Sequence, residues 1–322
     1  MRILVTGSSG HLGEALMRTL PALGHVAVGV DIAPAPFTQV TGTIADRALV
    51  DDCMRGIDVV LHAATLHKPH VVTHSRQAFV DTNVTGTLNL LEAATANQVR
   101  AFIFTSTTST FGDALTPPPG SPAAWITEDV AAIPKNIYGA TKTAAEDLCQ
   151  LFHRNNGLPC LVLRTSRFFP EGDDVPEKRV SWDDANLKVN ELLYRRVDTE
   201  DVVSAHLLAM ERAGTLGFQK FIITATSPFT RADLAELGTD APGVLERRVP
   251  EYRAIFAARG WKMLPALDRV YVNEKARRLL GWQPRYDFAR ALSNVAAGRD
   301  FRSPLAVSIG SKGYHSSQLA LA

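Results

Sequence analysis

The sequence is poor in the features that would tie it to a membrane, a nucleic acid or a metal. Its 34 Lys and Arg balance 33 Asp and Glu, a net charge of +1, so no global field draws it to nucleic acid or to a lipid surface. It has no run of about 18 apolar residues, the length needed to span a bilayer. Only three cysteines occur, Cys53, Cys149 and Cys160, an odd number without ligand spacing. That pattern excludes a disulfide framework and fits reduced thiols in a cytoplasm. No repeat recurs at solenoid spacing. The first strand is expected from residue 2, which leaves no room for a leader peptide. What remains is a 322-residue chain long enough to bury a large α/β core.

The most informative stretch is the first. Ile3, Leu4 and Val5 form an apolar run suited to a strand buried on both faces. Gly7, Gly10 and Gly13 follow, then Leu12, Leu16 and Leu20 at helical spacing. Strand, glycine-rich turn and helix in this order cradle a pyrophosphate: one glycine makes the turn, one admits the phosphate, one lets helix and strand pack closely. The helix N-terminus adds N–H donors and the positive end of its dipole. A second strand, Val26–Val30, ends at Asp31, 18 positions past Gly13, where a carboxylate meets adenosine ribose hydroxyls. Its charge would repel a further phosphate, and Ile32 supplies no cation, so NAD rather than NADP is the expected cofactor.

Further strands are expected at Asp58–Leu61, Ala101–Phe104, Leu161–Leu163 and Phe221–Thr224. Helices are expected over 46–55, 76–97, 136–154 and 202–212, and a capping box at Thr230–Asp233 opens another. This alternation predicts an α/β Rossmann-type, doubly wound parallel sheet. The expected division is a dinucleotide-binding domain over 1–165 with a returning strand near 218–225, a smaller interleaved C-terminal substrate-binding lobe over 166–302, and a tail over 303–322.

Tyr138 and Lys142 lie four apart on the helix 136–154 and so share a face. A free phenol, with pKa about 10, is a poor base at neutral pH. A nearby ammonium and a cationic nicotinamide favour the phenolate, a gain of roughly 4 kcal/mol if the pKa falls to neutrality. Tyr138 could then accept a proton from a substrate alcohol as hydride leaves. A hydroxyl from the run Thr105–Thr110 could hold the substrate oxygen, although such a run also serves simply as β-forming sequence.

These stretches, taken with His62-Ala63-Ala64, Asn83 and Gly86-Thr87, stand in the order found in extended short-chain dehydrogenases/reductases, the NAD-dependent epimerase/dehydratase group. Leu280-Gly281-Trp282 with Pro284 resembles the close of that group, and the resemblance spans about residues 1–300. It implies Thr107, Tyr138 and Lys142 as catalytic residues. It implies a cofactor site of Gly7, Ser9, Gly10, His11, Leu12, Gly13, Asp31, Ile32, Thr43, Ile44, His62, Ala63, Ala64, Thr65, Asn83, Thr105 and Thr165, with Tyr138 and Lys142 touching the same ligand. Ile44 matches the apolar contact to adenine, and Thr43 stands where the family usually has Asp. Substrate contacts are expected from His67, Thr107, Thr108, Ser166 and Arg167, and a homodimer is expected through the helices 76–97 and 136–154.

Departures from the family pattern narrow the chemistry. Sugar 4,6-dehydratases carry acidic side chains after the catalytic Thr; Thr108 and Ser109 stand there, which argues against dehydration. Phe111-Gly112 replaces the usual Tyr-Gly. Arg167 replaces a substrate-binding Asn, and its planar fork suits a carboxylate or phosphate; Arg179 is a lesser helper. Residues 245–302 hold 13 Lys and Arg against 6 Asp and Glu, a difference of +7 that suits an anionic substrate or equally a solvated basic face. His67, His70 and His74 approach metal-ligand spacing, but Pro69 interrupts them and no acidic cluster completes a site, so no metal is expected. The expected activity is NAD-dependent oxidation of a secondary alcohol on a small sugar, sugar acid or polyol. Epimerisation through the same first half-reaction is the alternative, and a non-catalytic NAD-binding regulator the third.

Overall fold

A computed structural model describes residues 1–118 and 120–313 of the chain. Pro119 and residues 314–322, the latter half of the expected tail, lie outside the described residues. Among the described residues nine strands are present: β1 (Arg2–Thr6), β2 (Val26–Asp31), β3 (Val40–Thr41), β4 (Val59–His62), β5 (Ala101–Thr107), β6 (Ala124–Ile126), β7 (Cys160–Thr165), β8 (Phe218–Ile223) and β9 (Arg269–Tyr271). Seven of them make one parallel sheet in the order β3-β2-β1-β4-β5-β7-β8. Strand order reverses between β1 and β4, and ligands of such sheets sit at that switch, beyond the strands' carboxyl ends.

The first half supplies helices α1 (His11–Thr19), α2 (Arg47–Cys53), α3 (Arg76–Val80), α4 (Gly86–Ala96) and α5 (Ile137–Asn156). The second supplies α6 (Pro176–Ser181), α7 (Asp184–Glu191), α8 (Thr199–Leu216), α9 (Leu234–Leu237), α10 (Ala241–Arg248), α11 (Tyr252–Ala258), α12 (Glu274–Leu280), α13 (Phe288–Ala296) and α14 (Pro304–Ile309). No helix among the described residues is long and apolar enough to cross a membrane. Alternation along the strands divides the core. Ile3, Val5, Val59, Leu61 and Ile103 face α1, α8 and α12, whereas Leu4, Val60, Phe102 and Phe104 face α2, α4 and α5.

The helix expected over 76–97 is interrupted. A π-helical turn, Asp81–Thr85, separates α3 from α4. Such single turns insert one residue and recur at functional sites.

Beyond β7 the chain builds a third apolar cluster from Val189, Leu193, Val244, Leu245, Phe256, Leu267, Val270 and Phe288. β6 and β9 pair in parallel here, Ala124 opposite Arg269 and Ile126 opposite Tyr271. The Leu-Gly-Trp segment locks this half onto α8: Trp282 is fully buried and its Nε1 donates to Asp201 O at 3.1 Å. The segment expected as a tail begins instead with a helix. Ser303 accepts a hydrogen bond from Ala306 N at 3.0 Å, Pro304 occupies the first turn, and Ala306 and Ile309 are buried against the sheet domain.

Candidate functional site

Two cavities meet beyond the carboxyl ends of the strands. The larger, about 410 Å³, runs along the glycine-rich turn. It is lined by Gly7, Ser9, Gly10, His11, Leu12, Gly13, Asp31, Ile32, Thr43, Ile44, Ala63, Ala64, Thr65, Thr105 and Thr165, all of them residues expected at the cofactor. The turn is as tight as a dinucleotide cradle requires. Gly7 adopts φ +74°, and a Cβ on it would stand 2.7 Å from Ala64 N. A Cβ on Gly13 would stand 1.9 Å from Gly7 O. Gly10 caps α1 without a side-chain hydrogen bond, leaving the first-turn N–H groups without a side-chain acceptor there. Asp31 closes the far side: its Oδ2 accepts from Ser9 N and its Oδ1 from Ala33 N, both at 3.0 Å. These features fit NAD, with the diphosphate over the turn and the adenosine ribose at Asp31.

The second cavity, about 290 Å³, opens on the other side of Tyr138. His67, Tyr138, Thr165, Phe168 and Phe169 line both. Thr107, Thr108, Ser166 and Arg167, the other residues expected at the substrate, line the second. Tyr138 is the second residue of α5, whose start is capped by Asn136 accepting from Gly139 N at 3.0 Å. The Thr107 side chain at the end of β5 lies beside the Tyr138 phenol and favours its ionised form.

Electrostatics differ from expectation at this point. Burial pushes the Tyr138 phenol up to about 12, only partly offset by the Thr107 side chain. Burial equally pushes Lys142 down to about 7, so it is a weak source of positive charge. Its Nζ rests 3.9 Å above the Phe104 ring, behind the cavity wall rather than on it. The protein alone therefore does not hold Tyr138 as a phenolate.

Two further residues expected at the cofactor, besides Lys142, lie beneath the wall instead. His62 ends β4 with its ring turned under the turn, Nδ1 2.7 Å from Thr6 Oγ1 and Nε2 3.0 Å from Thr87 Oγ1. Burial holds its pKa well below the ordinary value, so it is a neutral core histidine. Asn83, in the π-turn, accepts at Oδ1 from Leu66 N and Thr65 Oγ1, both at 2.9 Å. Its Nδ2 donates to Leu66 O at 2.9 Å and Thr141 Oγ1 at 3.0 Å. It shapes the wall without lining it. Thr105 lines the cavity, but its hydroxyl is paired with His206 Nε2 at 2.8 Å.

Arg167 is less available than expected. Its Nη1 donates to Asp173 at 3.0 Å, its Nη2 to Gly172 O at 3.2 Å, and Asp174 lies 3.5 Å away. Arg179 donates to the Asp173 carbonyl and lines neither cavity. The sequence reading passed over Lys135, Arg195, Arg269 and Tyr271, which also line the second cavity. Arg269 and Tyr271 arrive through the β6–β9 pairing, more than 100 residues from Tyr138 along the chain. The rings of His67, His70 and His74 pack edge to face in a row, with centroids 4.5 and 5.0 Å apart. Burial pushes His67 to about 3 and His70 to about 4, leaving both neutral at pH 7. Among the described residues no group of three His, Cys, Asp or Glu is placed to hold a metal.

The model of the NAD dependent epimerase/dehydratase family matches residues 3–219. The chain belongs to that family. It is an enzyme of the extended short-chain dehydrogenase/reductase class, and its cofactor is NAD. It is 30% identical to a dTDP-glucose 4,6-dehydratase of Streptomyces antibioticus over 92% of this chain and 91% of that one. A UDP-glucose 4-epimerase of Rhizobium meliloti (strain 1021) is 27% identical over 89% of this chain and 93% of its own length. The crystal structure of a short-chain dehydrogenase/reductase superfamily protein of Agrobacterium tumefaciens with bound NAD superposes with TM-score 0.66, 24% identity and coverage of 92% and 96%.

Proposed function

We infer that this family member oxidises a secondary alcohol of a sugar-like substrate that carries an anionic group. The observation that carries the reading is the position of Tyr138 on the wall common to both cavities, with Thr107 beside its phenol. NAD, when bound, supplies the hydride acceptor and a positive ring. Tyr138 takes the hydroxyl proton, Thr107 orients the same oxygen, and Lys142, one turn further on and only partly charged at pH 7, assists the phenolate weakly from behind the wall. Ser166 supports a hydroxylated substrate: it lines the second cavity, is only 3% exposed, and its Oγ has no hydrogen-bond partner among the described residues. Lys68, Lys135, Arg167, Arg195 and Arg269 line that cavity against Glu171 and Asp174, which supports the anionic group. Arg195 and Arg269 each keep a buried Nε without a partner and replace Arg167 as its main ligands in this reading.

The likeness to UDP-glucose 4-epimerase supports a second reading, in which the hydride returns to the opposite face of the keto intermediate. Thr108 and Ser109, where a dehydratase would carry acids, speak against elimination of water. A homodimer through α4 and α5 and a cytoplasmic location belong to the same proposal.

The test is a panel of sugars, sugar acids and polyols with NAD, read by NADH absorbance. Net NADH supports oxidation, and isomerised product without net NADH supports epimerisation. Tyr138→Phe is expected to lose about 10³-fold in turnover while still binding NADH; unaltered turnover would overturn the assignment of the base.

A further inference from the structure

We propose that Lys312 is a cofactor-binding residue, its ammonium brought from the far end of the chain to the diphosphate of the dinucleotide. The proposal rests on NAD occupying the larger cavity, and its first support is a charge count. Lys312 lines that cavity together with Gly10, His11 and Leu12, and among the described lining residues it is the one Lys or Arg. Asp31 is a carboxylate on the same wall. A diphosphate set there against backbone N–H groups alone would leave much of its charge uncompensated, and an ammonium is a compact partner for it.

The chain spends several contacts to bring Lys312 there. α14 packs on α1, the helix whose N-terminus faces the cavity, and Ile309 is buried in the shared core. Ser303 N donates to Asp198 at 3.0 Å, fixing where that helix begins. Gly310 then turns the chain at φ +63°. Ser311 Oγ and Lys312 N both donate to Glu171 Oε1, at 3.0 and 2.7 Å. The same oxygen lies 3.0 Å from His11 Nε2, and His11 is the first residue of α1. Burial would raise the Glu171 carboxyl, but the His11 hydrogen bond and its companions hold it at about 2, so it stays an acceptor across the working pH range. One carboxylate thus ties the strap to the cofactor turn.

The ammonium itself is free to change partners. Its Nζ bonds the Glu14 carboxylate, one turn into α1, and Glu14 also bonds Arg18. When Lys312 turns to a diphosphate, Glu14 keeps a cation and is not stranded. Lys312 is partly exposed, and its side chain carries none of the core, so its replacement leaves the fold intact.

The experiment titrates NADH, ADP-ribose and adenosine into the full chain and into the variants Lys312→Ala and Lys312→Arg. Lys312→Ala is expected to weaken NADH and ADP-ribose about tenfold, the weight of one charge-assisted hydrogen bond. Adenosine, which lacks the diphosphate, should bind all three proteins equally, and Lys312→Arg should stay within about twofold of the parent. The loss should shrink as salt is added. Equal NADH affinity in Lys312→Ala and a binding parent overturns the role of Lys312 alone, as does a parallel loss of adenosine. Failure of the parent to bind NADH removes the cofactor assignment as well.

Discussion

The Asn83 amide donates to Thr141 Oγ1 at 3.0 Å, joining the π-turn between α3 and α4 to the helix that carries Tyr138. Thr141 in turn donates to the carbonyls of Ile137 and Tyr138, at 2.9 and 3.1 Å. The loop Thr65–Leu66 is clasped by the other end of the same amide. One buried side chain therefore sets the distance between the cofactor wall and the base.

Replacing it should be costly. Asn83→Leu leaves the buried Leu66 N–H without its partner and takes one of two donors from the Leu66 C=O, an expected loss of about 2 kcal/mol. NADH affinity should fall with it, since Ala64 and Thr65 line the cofactor cavity. Urea unfolding and NADH titration check both, and unchanged values for either would remove Asn83 from this positioning role.

Asp31 offers a test of cofactor choice. Asp31→Ser keeps a side-chain acceptor for Ser9 N and removes the charge that faces a 2′-phosphate. The ratio of NADP to NAD affinity is expected to rise by about tenfold or more, a size consistent with removing one close like-charge contact. Fluorescence titration with both cofactors reads the ratio. No change would leave Asp31 as a turn residue only.

Lys142 predicts a pH dependence of stability. Burial sets its folded pKa near 7, against 10.5 for the free side chain. Between those values the unfolded chain holds a proton that the folded chain has released, so this group makes stability rise with pH across that window. The slope is at most about 1.4 kcal/mol per pH unit. Lys142→Met should abolish it, and the parent should gain on the variant in denaturant midpoints taken at pH 7, 8 and 9. A constant difference between the two would contradict the depressed pKa.

The dinucleotide half was legible because its signals are local. Apolar runs marked β1, β2, β4, β5 and β7, and three glycines in register marked the turn between β1 and α1. The π-turn was not legible: Val80, Val84 and Leu88 continue the helical pattern through it, and one inserted residue barely disturbs mixed three- and four-residue steps. His62 was expected at the cofactor only through the resemblance, and its ring instead fills the slot between Thr6 and Thr87. Arg195 and Arg269 reach the second cavity by pairing between distant segments, which spacing along the chain does not encode. Ser303-Pro304 did carry a helix start signal, a capping hydroxyl before a first-turn proline, but the six-residue helix behind it is too short to show a period.

The pairing of β6 with β9 also orders events during synthesis. Residues 124–126 wait for residues 269–271 before their backbone groups find partners. The first strands pair locally, β1 with β2 and β4 within residues 2–62. A nascent chain would thus pair these strands well before its second wall closes, and the late closure of that wall makes the substrate side the length-dependent step of maturation.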